Sequence, residues 1–187
     1  MTKTVNTPLT GKIINDLKAG DRVFLNGIIY TGRDAAHKKL IEMLEKGEKL
    51  PIDLEDQVIY YVGPCPAKPG TVIGSAGPTT SGRMDAYTPK LLEKGLKGMI
   101  GKGKRNKDVI DAIVKYNAVY FAAIGGAGAL LAKSIKEAEV IAFPELGPEA
   151  IYKLKVVNFP VTVIIDNKGN NLYEIGKKEY KDFGKEK

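Results

Sequence analysis

Residues 98–144 read GMIGKGKRNKDVIDAIVKYNAVYFAAIGGAGALLAKSIKEAEVIAFP. GMIG is a short strand, GKGKRN breaks it, and a helix runs from Lys107 to Tyr116. AVYFAAIG is a strand again, GGAGALLAKSI opens as a glycine turn and becomes helical, and EVIAFP returns to strand. Strand and helix alternate with short breaks, the pattern of an α/β layered domain.

Working outward, GDRVFLNGIIYTG alternates around Val23, Leu25 and Ile28 and reads as a strand pair or one long strand ending at Gly32. Ala36, Leu40, Ile41 and Leu44 then recur at helical spacing from Arg33 to Lys46, with Asp34 where a negative charge suits the helix dipole. QVIYYVG is a buried strand, GPCPAKPG forbids regular structure, and TVIGSAG is expected as a second strand running into PTTSGRMD. TPKLLEKGL predicts a helix. LGPEAIYKLKV predicts a short helix with Pro148 in its first turn, and FPVTVIIDNKGNNLYEI predicts two strands joined by an Asn/Gly hairpin. Neither repeats nor a break in composition divide the chain, so residues 1–187 are expected to form one domain, with 177–187 a solvated, mobile tail.

The chain has 187 residues, 43% of them hydrophobic and 27% charged, enough apolar material for a core and too little net charge for disorder. Its charge-free run from Tyr116 to Ala132 is interrupted by glycines and is shorter than a bilayer span of about 20 residues. MTKTVNTPLT lacks the apolar stretch of a secretory leader, so a cytoplasmic protein without a membrane segment is expected. One cysteine, Cys65, and one histidine, His37, exclude an intrachain disulfide and a Cys/His zinc site. They also exclude an iron–sulfur cluster held by this chain alone. The net charge of +7 comes mostly from scattered lysines, without interleaved aromatics or an RNP-like strand, which argues against nucleic acid as the partner.

In α/β domains ligands gather at the loops that follow the carboxyl ends of strands. TGRDAAH (31–37), GSAGPTTSGRMD (74–85), GKGKRN (101–106) and GGAG (125–128) offer Arg33, His37, Thr79, Thr80, Ser81, Arg83, Lys102 and Lys104. This is an inventory for an anion: glycines admit close approach, hydroxyls donate, and the guanidinium fork matches a carboxylate. Plainer readings stand beside it. GGAG is incomplete as a dinucleotide fingerprint and reads as a tightly packed helix start, and GKGK lacks the P-loop frame. His37 would ordinarily be a surface or capping residue, although it shares a helix face with Arg33. Cys65 is expected as a small buried residue, and Arg22 and Arg105 as plain surface charges.

GPTTSGRMD, together with TGRDAAH, the GKG after MI, VYFAAIGGAGAL, ELGPEAIYKLKV and FPVTVIIDNKGNNLY, resembles the β subunit of the two-subunit class I fumarate hydratases and L-tartrate dehydratases. The resemblance runs in consistent order from about Pro8 to Tyr173. It implies a swivelling β/β/α domain that closes over a four-carbon dicarboxylate held on a [4Fe–4S] cluster of a separate α subunit, in a hetero-oligomer such as α2β2. It implies that the chain is a hydro-lyase only with that subunit. By the same resemblance Arg33, Arg83 and Lys102 clamp substrate carboxylates, Thr79 is the base, and His37 is an acid/base or carboxylate-orienting group. Fumarate and malate are the expected substrates, tartrate or a methylated fumarate the alternatives within the class, and a non-catalytic anion-binding or subunit-interaction module the alternative outside it.

Overall fold

A computed structural model describes residues 2–183. Seven strands form one hydrogen-bonded system: β1 (Thr2–Asn6), β2 (Arg22–Thr31), β3 (Val58–Tyr60), β4 (Gly98–Gly101), β5 (Val119–Ala122), β6 (Ile135–Ala142) and β7 (Ile151–Ile165). Six α-helices connect or flank them: α1 (Gly11–Asn15), α2 (Asp34–Glu45), α3 (Thr88–Glu93), α4 (Lys107–Lys115), α5 (Gly128–Lys133) and α6 (Leu172–Phe183).

Strands β1 to β5 run parallel in the order β1-β2-β3-β4-β5. β7 is antiparallel to β5, β6 and β2. Because β7 pairs with both β2 and β5, the strands β2-β3-β4-β5-β7 close into a ring. Closure needs a bend in β2, and the register shifts between Leu25 and Gly27. Gly27 has φ +110 there, and a Cβ on it would lie 2.5 Å from Oγ1 of Thr7, so no other residue serves.

The period-two direction of strand side chains divides the apolar residues between two cores. Val58, Tyr60 and Val62 join Val23, Leu25, Phe121, Phe159 and Val163 in one; Ile59 and Tyr61 join Leu40, Leu91, Leu92, Met99 and Ile113 of the helical layer in the other. Each such side chain contributes about 1.5–3 kcal/mol of transfer free energy when fully buried. α4 shows the local logic: Asn106 caps it by accepting from the amide of Val109 (2.9 Å), and Val109, Ala112 and Ile113 form its buried stripe.

Three expectations are corrected. TVIGSAG is not a strand: Cys65 donates to the carbonyl of Ser75 (2.9 Å), Gly74 to that of Cys65 (3.1 Å), and Ala76 to that of Gly128 (3.1 Å), so the segment bonds to its own loop and to α5. IYKLKV is the start of β7 rather than helix, because Leu154 and Val156 are buried between exposed Lys153 and Lys155; Pro148 sits in a 3₁₀ turn, Pro144–Glu149, that ends before it. The proposed hairpin has only its first strand. Asp166 closes the turn after β7 by accepting from the amides of Lys168 and Asn170 (both 3.0 Å), and the chain then enters α6. Residues 177–183 of the expected tail continue that helix, while 184–187 lie outside the described residues.

Candidate active site

The parallel strands β2, β3, β4 and β5 end at one rim, so the four candidate loops meet there. Thr79 is fastened to the end of β3: its amide and its Oγ1 both donate to the carbonyl of Tyr61, at 2.8 and 3.1 Å. The GPTTSGRMD and GKGKRN loops are laced together. Lys102 donates to the carbonyl of Thr79 (3.2 Å), Ser81 donates to that of Lys102 (2.9 Å), and Thr80 and Lys102 form a parallel bridge. Gly101 makes this approach possible, since a Cβ there would lie 2.0 Å from Oγ of Ser81. Lys102 is exposed and, among the described residues, has no carboxylate partner. Its Nζ reaches toward Gly125 of the GGAG loop, 3.9 Å from where a Cβ would be.

Arg33 and Arg83 converge on one carboxylate. Nε of Arg83 lies 3.3 Å from Oδ1 of Asp34, and Nε of Arg33 lies 3.9 Å from Oδ2 of the same group. Nη2 of Arg33 also stands 3.3 Å from Oε1 of Glu149. Gly63 leaves room for the guanidinium, as a Cβ there would come within 2.7 Å of Nη1. Arg33 Nε is buried without a hydrogen-bond acceptor.

His37 is fully buried, not a surface residue, with its ring edge-on to Tyr61 at 5.3 Å between centroids. Its Nδ1 lies 2.9 Å from the carbonyl of Arg33, which can only accept, so Nδ1 carries the proton and Nε2 is left as a buried acceptor with no partner. Burial pushes the pKa down to about 4, so the ring is neutral near pH 7. The placement puts His37 beneath the same rim as Arg33, through the backbone they share.

Arg105 is likewise buried, against the expectation of a surface charge. Its Nε donates to Oδ1 of Asp85 (2.6 Å) and its Nη2 to Oγ1 of Thr88 (2.7 Å), and the guanidinium lies over the rings of Tyr61 and Tyr120. Cys65 is exposed rather than buried: its backbone is spent on Ser75 and Gly74 of its own loop, and its side chain joins neither core. Sequence reading missed Glu149, Tyr61 and Asp85, and took Asp34 only for its helix dipole; an acidic residue next to an arginine in a glycine turn was the available signal for Asp34. With one cysteine, and with no group of three His, Cys, Asp or Glu placed to hold a metal among the described residues, this chain does not fit an iron–sulfur cluster. No helix among the described residues is long and apolar enough to cross a membrane.

The rim of this α/β domain thus collects two guanidinium groups, an ammonium and a hydroxyl at the carboxyl ends of parallel strands. The chain belongs to the family described as Fumarase C-terminus, whose model matches residues 2–176. It is 45% identical over 179 residues to a Methanocaldococcus jannaschii protein provisionally named L(+)-tartrate dehydratase subunit beta, with 92% of each chain covered. It is 44% identical over 162 residues to fumarate hydratase 2 of Leishmania major and 46% identical over 155 to the aerobic class I fumarate hydratase of Salmonella typhimurium. Those two alignments cover 86% and 82% of this chain but only 28% and 27% of the relatives, so the chain spans little more than a quarter of their length.

Proposed function

We propose that this chain is the β subunit of a hydro-lyase that interconverts malate and fumarate by reversible removal of water, completing a site whose [4Fe–4S] cluster is carried by a separate α subunit. The observation that carries the reading is the meeting of Arg33 and Arg83 on the single carboxylate of Asp34, within reach of the loops that bear Thr79 and Lys102. Two guanidinium groups that approach one carboxylate, at 3.3 and 3.9 Å, lie close enough together for the carboxylate of a ligand to bridge them. The swivelling β/β/α fold is proposed with it, on the closed ring and the layer of α2, α3 and α4 packed against it.

The chemistry explains the residue types. Taking the proton from the carbon beside a carboxylate pushes further negative charge onto a group that is already anionic, so fixed cations must surround it before the proton leaves. Arg33, Arg83 and Lys102 supply that charge. Thr79 is proposed to exchange the carbon-bound proton. In the dehydration direction its alkoxide would take that proton and become the hydroxyl, and in the hydration direction the hydroxyl would return it to carbon, once it turns from the carbonyl of Tyr61 to which it donates here (3.1 Å). His37, neutral, is proposed to orient Arg33 through the backbone carbonyl that its Nδ1–H holds.

L-Tartrate is the second reading, favoured by the provisionally named tartrate dehydratase subunit, a relative that this chain matches along nearly its whole length. Anaerobic co-expression with the cluster-bearing subunit, followed by assays on malate, fumarate and L-tartrate, tests both. The chain alone is expected to be inactive and the complex to turn over malate and fumarate. Turnover of tartrate alone would transfer the assignment to the second reading, and turnover of none would refute both.

A further inference from the structure

Arg105 is the one buried cation among the described residues, and its partners lie in the segments that frame the rim. Asp85 follows Arg83 by two positions and takes a hydrogen bond from Nε of Arg105 (2.6 Å) and another from the amide of Asn106 (2.7 Å). Thr88 takes Nη2 and passes its own proton to the carbonyl of Met84 (2.8 Å), the last residue of the SGRM turn. The guanidinium lies 5.4 Å from the ring centre of Tyr61, whose carbonyl holds Thr79. It lies 5.0 Å from that of Tyr120, whose hydroxyl meets Oγ of Ser81 and donates to the carbonyl of Gly103 (both 2.9 Å).

We propose that Arg105 is a positioning residue: one guanidinium fixes the loop bearing Thr79 and Arg83 against the loop bearing Lys102, so that their groups can address the same anion. The proposal rests on the hydro-lyase reading for what the rim binds, and on geometry alone for what Arg105 holds. Stability by itself does not account for the arrangement, because apolar groups of similar volume often replace a buried ion pair at no cost. What apolar groups cannot supply is a planar fork that bonds in several fixed directions at once, and lysine cannot supply it either. Arg105 touches no candidate ligand atom and is therefore not catalytic.

Arg105→Lys keeps the charge and loses the fork. Two readouts follow it. In the isolated chain, hydrogen exchange at the amides of Ser81 and Lys102, which bind the two loops together, is expected to accelerate about tenfold or more, with β2 and β7 unchanged. In the complex with the cluster-bearing subunit, well below the melting temperature, kcat/KM for malate is expected to fall about a hundredfold, the order of loss for a small misplacement. Unchanged loop exchange, acceleration in step with β2 and β7, or intact kcat/KM would each overturn the proposal. Should Arg105→Lys fail to fold, Asp85→Asn, which keeps the shape and loses the charge, carries the same readings. A wild-type complex without turnover refutes the hydro-lyase reading instead, and the exchange result then decides the role of Arg105.

Discussion

Nη2 of Arg33 stands 3.3 Å from Oε1 of Glu149, while Oε2 of that same carboxylate accepts from the amide of Ala35 (3.3 Å). Glu149 thus holds both the side chain of Arg33 and the first turn of α2, and the nearby pair of Lys39 with Glu145 fastens the same 3₁₀ segment to the helix. In the proposed complex, Glu149→Gln should raise KM about fivefold, the equivalent of about 1 kcal/mol for a partly exposed pair, with kcat and melting temperature nearly unchanged. Steady-state kinetics with an unaltered KM would remove Glu149 from the site.

Arg83 is half exposed, and among the described residues its guanidinium forms an ion pair only with Asp34, so little of the fold depends on it. Arg83→Ala should lower kcat/KM about a hundredfold or more, as expected for a donor that faces developing charge. Its circular dichroism and melting should match wild type. Preserved turnover in a folded variant would eliminate the role assigned to this arginine.

The neutral imidazole of His37 links stability to pH. The unfolded chain takes up its proton near pH 6.5 and the folded chain only at about 4. Between those values the unfolded state binds more protons, so stability falls as pH falls. The contribution is complete above the unfolded value and declines by roughly 3 kcal/mol toward pH 4. Denaturant unfolding of wild type and His37→Gln at about pH 7 and about pH 4.5 should show the gap between them narrowing in acid. A gap of equal size at both pH values contradicts a buried neutral ring.

Two glycines separate ligand binding from folding. In Gly63→Ala the new methyl meets Nη1 of Arg33, at the far end of a long side chain held by a partly exposed ion pair with Glu149, at 2.7 Å. It should displace the guanidinium and raise KM for about 1 kcal/mol of stability at most. In Gly101→Ala the methyl meets Oγ of Ser81 at 2.0 Å and the ring of Tyr61 at 2.9 Å, both inside packed structure. That variant should lose about 1–3 kcal/mol or more. Chemical unfolding of both, with similar losses, would show that the two close approaches do not differ in kind.

Elements with their own local pattern were legible in the sequence: β2 by alternation, α2 by its helical stripe, and β4, α4 and β5 by short apolar runs between breakers. The reading of LGPEAIYKLKV as helix followed Pro148 and overlooked the alternation of Leu154 and Val156 with Lys153 and Lys155. At TVIGSAG the apolar residues suggested a strand, but which carbonyls its amides meet is decided by Cys65 and Gly128, distant in sequence. The candidate site divides the same way. Arg33, Thr79, Arg83 and Lys102 stand out in glycine-rich loops, and the structure brings those loops together at one rim. The burial of Arg105 depends on Asp85, Thr88, Tyr61 and Tyr120, four positions that no local pattern connects to it.

Strand β7 pairs Val156 with Gly27 and Thr162 with Arg22, joining segments more than a hundred residues apart. During synthesis the earlier strands therefore leave the ribosome without the one that seals them, and contacts of such long sequence separation form late and slowly. The nascent chain must wait, with the edges of β2 and β5 unsatisfied, until Ile165 has emerged.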